Sequence, residues 1–276
     1  LINQLSQSKP GTLVAAALDG DGDRCLLIEA TQHGFKVIDG DRIADTFLNS
    51  VTNSGKDWSL AASIESDLSL TTNLNRFPTQ VAANETAVGD RWLSFNLSNN
   101  QINEFIINSS MPSVLGVEDS GHIVLASPHP IHESAWSLVG DGAMTLVAYL
   151  LATTKLDESR LMDRGWKQRQ SVKDVDRGKW NGNNKLSDVI EKSLFDKLSD
   201  FNLVSQWYRT TIPGEPNLML INCLYGEAEL SIGIRNSGTQ AKISVSARLE
   251  HGGSNVGIQE AINEACDLLE IHMINH

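Results

Sequence analysis

Cysteine is scarce in this chain. Its three residues, Cys25, Cys223 and Cys266, lie far apart and share no metal-ligand spacing. That excludes a cysteine-rich zinc site and a disulfide framework. Cys25 and Cys223 sit among apolar neighbours and Cys266 in a helical pattern, so all three are expected as buried, reduced thiols of a cytoplasmic protein. No run of about 18 apolar residues occurs, which leaves no candidate for a membrane-spanning helix and no expected membrane partner. No signal-peptide pattern opens the sequence. Positive charge is also short: 22 Lys and Arg stand against 34 Asp and Glu, a formal net charge of −12. A chain this acidic repels phosphate backbones, so nucleic acid is excluded as a partner. A phosphorylated small molecule is not, because a few arginines and a cation can hold one locally. Internal repeats and low-complexity runs are absent.

What is present is the patterning of a globular α/β chain. With 276 residues, the length suits about two domains. Leu13-Val-Ala-Ala-Ala-Leu18 is a short apolar run followed at once by an Asp/Gly cluster, and reads as a buried strand ending in a loop. Strands are expected at Cys25–Ile28 and Gly34–Ile38. Asp39-Gly-Asp41 then opens a helix, with Ile43, Ala44, Phe47, Leu48 and Val51 at helical spacing. A second series follows: strands at Leu60–Ile64, Phe105–Ile107 and His122–Leu125, a helix from Arg91 to Leu97, and an apolar helix from Gly140-Asp-Gly142 to Leu151. Strand–helix alternation of this kind predicts an α/β unit with a mixed sheet. Polar residues dominate from about Ala152 to Asn184, and a domain boundary is placed near residue 155. Beyond it, a helix over Leu186–Leu198, strands at Leu218–Leu224, Ala228–Ile234 and Lys242–Leu249, and a last helix with Ile258, Ile262, Ala265 and Leu269 on one face predict a smaller α+β domain. Alternation along Lys242–Leu249 predicts a sheet with one solvated face.

Three loops could carry chemistry. In Asp19-Gly-Asp-Gly-Asp-Arg24, glycines let the backbone fold tightly enough for three carboxylates to converge. Such a cluster repels itself unless a cation sits within it, and all-oxygen ligation favours a hard divalent ion such as Mg²⁺. Arg24 beside the ion could clamp a phosphate. A calcium-binding EF-hand loop would need Gly and Glu where Arg24 and Ala30 stand. In Gly116-Val-Glu-Asp-Ser-Gly-His122, Glu118 can accept from sugar hydroxyls, Ser120 can donate or accept, and His122 can do either or titrate. Alone, this loop is more often a plain turn with a structural histidine. In Arg235-Asn-Ser-Gly-Thr239, the residues Ser237, Gly238 and Thr239 could surround an anion with backbone N–H groups and hydroxyls, and Arg235 could pair with it. Alone, it is equally a polar hairpin turn.

Taken in order, the three loops resemble those of the α-D-phosphohexomutase superfamily, which includes phosphomannomutase, phosphoglucomutase and phosphoglucosamine mutase. Members have three similar α/β domains and a smaller C-terminal domain. The resemblance covers essentially the whole chain. It implies residues 1–38 as the end of the second domain, 39–155 as the third and 156–276 as the fourth. It also implies Asp19, Asp21 and Asp23 as Mg²⁺ ligands and Arg24 as a catalytic cation. Glu118 and Ser120 would contact hexose hydroxyls, and His122 would stand near the transferring phosphoryl group, where it could assist proton transfer. Arg235, Ser237, Gly238 and Thr239 would bind phosphate. Val88-Gly-Asp-Arg-Trp92 is similar to a further family stretch and implies Arg91 as a cleft residue.

Two departures stand out. Many members continue the phosphate loop with Glu-Pro, where Gln240-Ala241 stand here. The family's nucleophile is a phosphorylated serine in a loop resembling Thr-Ala-Ser-His-Asn-Pro, and no Ser-His-Asn occurs in these 276 residues. The resemblance therefore implies part of an intramolecular phosphotransferase that interconverts a hexose 1-phosphate and its 6-phosphate through a bisphosphorylated sugar. The chain alone is expected to be truncated and inactive, with hexose phosphates and the missing N-terminal domains of the same protein as its partners. Two other classes remain. One is a non-catalytic sugar-phosphate-binding or regulatory remnant of a mutase. The other is a phosphatase of the haloacid dehalogenase type, which would leave the second and third loops unexplained.

Overall fold

The computed structural model describes residues 7–98, 105–107, 110–238 and 240–274. They divide into two compact units. The first runs to Met162 except for Asp67–Thr72, which belongs with the second, from Asp163 onward.

The first unit opens with strands β1 (Leu13–Leu18), β2 (Cys25–Thr31) and β3 (Gly34–Ile38), an antiparallel three-stranded sheet in chain order. Helix α1 (Gly40–Val51) follows, capped by the Asp39 carboxylate accepting from the Arg42 N–H at 3.0 Å. Next come β4 (Trp58–Ser63), α2 (Leu68–Thr72, in the second unit), β5 (Val81–Thr86), α3 (Asp90–Leu97), β6 (Phe105–Ile107), β7 (Val114–Val117), β8 (Ile123–Pro128), β9 (Ala135–Gly140) and α4 (Gly142–Thr153). The strands from β4 to β9 form one mixed sheet in the order β5-β4-β7-β8-β9-β6. β4 is parallel to both β5 and β7, and the remaining pairs are antiparallel. Leu60, Ala61 and Ala62 of β4 are all buried, as a strand with both faces covered requires.

Polar residues of α1 hold the end of this unit. Asp45 is fully buried and accepts from Arg42 at 3.0 Å, Arg76 at 2.7 Å and the Met162 N–H at 2.9 Å. The Asn49 amide brackets Asp157, donating to its carbonyl at 2.8 Å and accepting from its N–H at 3.0 Å.

The second unit adds β10 (Trp166–Lys173), α5 (Lys185–Ser199), β11 (Val204–Thr210), β12 (Leu218–Tyr225), β13 (Ala228–Asn236), β14 (Lys242–Leu249) and α6 (Ile258–Met273). Its antiparallel sheet has the order β10-β14-β13-β12-β11. Ile190, Leu194 and Leu198 of α5 and Ile262 and Leu269 of α6 share one core with Ile221, Ile232 and Val245 of the sheet. An Asn184–Ser187 capping box starts α5.

Several expectations fail, each for a physical reason. The polar stretch to Asn184 contains β10. Among the described residues it is an edge strand paired only with β14, and Lys167, Gln168, Arg169 and Gln170 carry no apolar signal. β1 is not buried. Ala16, Ala17 and Leu18 are exposed because β1 lies at the edge of a three-stranded sheet, and apolarity alone does not create a covering layer. The polar face of β14 is not solvated either. Ser244 and Arg248 are buried there, each with a cross-strand hydroxyl partner, Ser171 at 2.8 Å and Ser231 at 2.9 Å. β5, β9 and β11 are further strands that the periodicity did not mark.

The Asp45 cluster yields a stability prediction. In Asp45→Ala the buried guanidinium of Arg76 loses its carboxylate, and unfolding free energy should drop by about 3–5 kcal/mol. Urea denaturation measures it, and a loss under about 1 kcal/mol would show that the cluster contributes little.

Candidate functional site

The Asp19–Arg24 loop joins β1 to β2, and the Leu18–Cys25 pair closes it. Asp19, Asp21 and Asp23 each offer a carboxylate oxygen, and these three atoms lie within 4.8 Å of one another. Arg24 supplies the neighbouring positive charge. Its backbone N–H reaches Asp19 Oδ1 at 3.2 Å, its Nε reaches Asp19 Oδ2 at 2.6 Å, and the same Nε stands 3.6 Å from Asp23 Oδ1. Burial by itself would raise the Asp19 carboxyl, but the two hydrogen bonds and the charge of Arg24 outweigh it and hold Asp19 at about 2. The hydrogen bond to Asp19 in turn raises Arg24, so the pair stays fully ionised.

Asp23 is placed differently. Its Oδ1 is buried and accepts no hydrogen bond among the described residues. Its Oδ2 lies 3.8 Å from Nε2 of His122, an atom that is also buried and has no hydrogen-bond partner among the described residues. A buried carboxylate oxygen lacking a donor, in an all-oxygen cluster, fits a hard divalent cation.

His122 ends the Gly116–His122 segment, the tight turn between β7 and β8. The turn is closed by the Glu118 N–H donating to the His122 carbonyl at 2.9 Å and the Gly121 N–H to the Glu118 carbonyl at 3.1 Å. Glu118 is buried. Its carboxylate accepts from the Gly89 N–H on one oxygen and from the Ser120 hydroxyl at 3.2 Å on the other.

The backbone ties this turn to the aspartate loop. Arg24 and His122 form an antiparallel bridge, the Cys25 N–H donates to the Gly121 carbonyl at 3.0 Å, and the Gly142 N–H donates to the Gly22 carbonyl at 2.9 Å. Two glycines make that approach possible. Gly121 has φ 94°, and a Cβ there would lie 2.4 Å from the Cys25 carbonyl oxygen. A Cβ on Gly140 would lie 2.1 Å from His122 Nε2. Arg91 is exposed on the first turn of α3, with its guanidinium carbon 5.3 Å from the centre of the Trp92 ring.

The third loop lies in the second unit, between β13 and β14. Arg235 Nη1 stands 3.4 Å from Glu215 Oε1. The Ser237 N–H donates to the Lys242 carbonyl at 2.9 Å, and the Gln240 N–H points to the Ser237 hydroxyl at 3.3 Å. Gly238 is exposed, and Thr239 lies outside the described residues.

No protein-family model matches the sequence. Curated relatives do. The chain is 31% identical over 137 residues, 49% of its length, to the phosphoglucosamine mutase of Leifsonia xyli subsp. xyli. It is 27% identical over 199 residues, 70% of its length, to the phosphoglucosamine mutase of Lactobacillus gasseri. Two solved structures share the fold. One is a variant N-acetylphosphoglucosamine mutase of Aspergillus fumigatus in complex with glucose 1,6-bisphosphate, with a TM-score of 0.60 over 99% of this chain at 14% identity. The other is an apo N-acetylglucosamine-phosphate mutase described as a member of the α-D-phosphohexomutase superfamily, with a TM-score of 0.54 over 96% at 15% identity. By sequence the chain is similar to phosphoglucosamine mutases, and by fold it is similar to these two mutase structures. The matches span only 25% and 39% of the two curated relatives, and 52% and 49% of the two structures.

Of the residues that resemble phosphohexomutase site residues, the first unit brings Asp19, Asp21, Asp23, Arg24, Glu118, Ser120 and His122 into one backbone-linked cluster. Arg91 joins it only indirectly, through Gly89 two residues before it. Arg235, Ser237 and Gly238 share a loop in the second unit. Reading the sequence missed Gly89 and Gly140. Both stood in stretches noted for other reasons, Gly89 in the Val88–Trp92 motif and Gly140 at a helix start. Only the folded chain shows that one N–H holds Glu118 and that one missing side chain makes room for His122.

Asp19 provides a direct check. Its folded value lies below the ordinary 3.8, so the Arg24 interaction stabilises the chain fully above about pH 4 and is lost as pH falls through about 2. Carboxyl NMR of the metal-free chain should give a midpoint near 2 for Asp19, and Arg24→Ala should return it toward 3.8. A midpoint near 3.8 before substitution would rule out the Arg24 clamp.

Proposed function

We propose that this chain is part of a phosphohexomutase that interconverts a hexose 1-phosphate and its 6-phosphate, and that glucosamine phosphate is the first substrate to test. The observation carrying this is the union of the aspartate triad and the Glu118–His122 turn in one backbone-bonded cluster, with both loops in superfamily order. The curated relatives' name supports the choice of hexose.

In this reading Asp19, Asp21 and Asp23 would hold Mg²⁺, which when bound neutralises charge on a transferring phosphoryl group. Arg24, already ionised beside the triad, would pair with phosphoryl oxygens. Glu118, fixed by the Gly89 N–H, would accept from hexose hydroxyls, and Ser120 would donate or accept beside it. His122 could hold or release a proton at Nε2, the atom facing Asp23. Arg91 would line the cleft. Arg235, Ser237, Gly238 and Thr239 would grip the phosphate that is not reacting. Positioning and charge neutralisation are the main sources of rate in such chemistry.

The serine that accepts and returns the phosphoryl group is not among these residues, so the N-terminal domains of the same protein would supply it. Residues 1–38 would then end the second domain, 39–155 form the third and 156–276 the fourth. Free, buried Cys25 and Cys223 suit a cytoplasmic setting, burial pushing the Cys223 thiol up to about 12. No helix among the described residues is long and apolar enough to cross a membrane.

Two measurements test the proposal. The 276-residue chain, given glucosamine 1-phosphate, Mg²⁺ and a trace of the 1,6-bisphosphate, should show no turnover. Turnover above blank would mean that the nucleophile lies within the chain. Sequencing the coding DNA upstream of Leu1 should reveal a Ser-His-Asn loop in frame, and a start codon at that boundary would instead favour a binding protein without chemistry. Separately, the chain should bind Mg²⁺ in calorimetry, and Asp23→Asn should weaken binding at least about tenfold. Unchanged affinity would remove Asp23 from the site.

A further inference from the structure

The anion loop of the second unit is braced by a segment that the superfamily motifs do not include. Residues 174–180 lead toward α5 and are fixed at both ends. The Val175 N–H donates to the Ala241 carbonyl at 3.3 Å, and the Asp176 N–H donates to the Met273 carbonyl at 2.9 Å. The Asp176 carboxylate accepts from the Gly178 N–H at 2.9 Å, capping a single 3₁₀ turn over Arg177–Lys179. Trp180 is 2% exposed, sits in the core of the second unit, and donates its indole N–H to the Asn217 carbonyl at 2.9 Å.

From this fixed base Arg177 Nη1 donates to the Ser237 carbonyl at 2.8 Å and the Gly238 carbonyl at 3.1 Å. Asn236 returns the contact, its Nδ2 donating to the carbonyls of Arg177 at 3.0 Å and Trp180 at 3.2 Å. Both neighbours of that amide are acceptors, which dictates the way it faces. Four hydrogen bonds thus run in both directions between the segment and the loop. A carbonyl pointing at an anion repels it, whereas an N–H attracts it. In a trans peptide the N–H points opposite the C=O. Turning the Ser237 carbonyl toward Arg177 therefore turns the Gly238 N–H outward.

We propose that Arg177 and Asn236 are positioning residues of the anion loop, holding the Ser237 and Gly238 carbonyls inward so that the Gly238 N–H faces phosphate. The inference rests on reading Arg235–Thr239 as a phosphate-binding loop. Arg177 acts here through geometry and not as a charge on the ligand, and Asn236, which is neutral, separates the two roles.

The test is a titration of the 276-residue chain with inorganic phosphate, read from the Ser237 and Gly238 amide resonances, in the wild type, Arg177→Ala, Asn236→Ala, the double variant and Arg235→Ala. Each of Arg177→Ala and Asn236→Ala should weaken phosphate binding by roughly five- to tenfold, with little change in thermal midpoint. The double variant should fall well short of the product of the two, because both act on one brace. A loss in Arg177→Ala with none in Asn236→Ala would make Arg177 a ligand by charge and overturn the inference. So would unchanged binding in both, while loss in Arg235→Ala would leave the loop's own assignment standing. Arg177 is exposed, so its variant remains informative if Asn236→Ala folds poorly. A wild type whose Ser237 and Gly238 signals ignore phosphate would overturn both the loop's assignment and the brace.

Discussion

Mutual repulsion among three carboxylates is the constraint around which the first unit is organised. Side chains at alternate positions of a flexible loop would splay apart in water, yet here their oxygens lie within 4.8 Å. Two features oppose the splaying. Arg24 neutralises part of the charge by folding back on Asp19 with two hydrogen bonds, and the ends of the loop are held by β1 and β2 pairing. The cost falls on Asp23, whose buried Oδ1 accepts no hydrogen bond among the described residues. An energetic imperfection of this kind is expected where a fold preserves a binding geometry over local stability.

The neighbouring turn depends on that arrangement. Cys25, next to the aspartate loop, donates to Gly121, and His122 bridges Arg24. The position of His122 is consequently set by the hairpin carrying the aspartates as much as by its own strand. The second unit obeys the same logic with different parts. The loop between β13 and β14 projects from a sheet whose core is closed by α5 and α6, and the Trp180 anchor fixes the base from which Arg177 reaches that loop.

How much of this could be read from the sequence depends on whether the cause is local. The aspartate loop could be read because alternating glycines and carboxylates act within six residues. α1 and α6 could be read because their apolar residues recur at helical spacing and do pack inward. The mixed α/β class followed from the same alternation. β10 could not, since an edge strand answers to a single neighbour and its side chains are free to be polar. Nor could the exposure of β1, because Leu13–Leu18 is apolar whether or not a layer covers it. Glu118 was visible as a chemical group, but its donor, Gly89, lies 29 residues earlier in the chain and is recruited only by β7 packing beside α3. Arg177 stands 60 residues before the carbonyl it holds, a separation that no local pattern can encode.

The hydrogen bond from Cys25 to Gly121 has a consequence for remodelling the protein. Because it joins the two loops through main-chain atoms, neither can be exchanged alone to change ligand preference. A transplanted Gly116–His122 segment whose tip differs by one residue would misplace the Gly121 carbonyl and with it the hairpin that carries the aspartates. Directed evolution of this molecule would therefore be expected to move in side chains on a fixed frame, and homologous recombination to succeed at crossover points that keep residues 19–25 and 116–122 from the same parent.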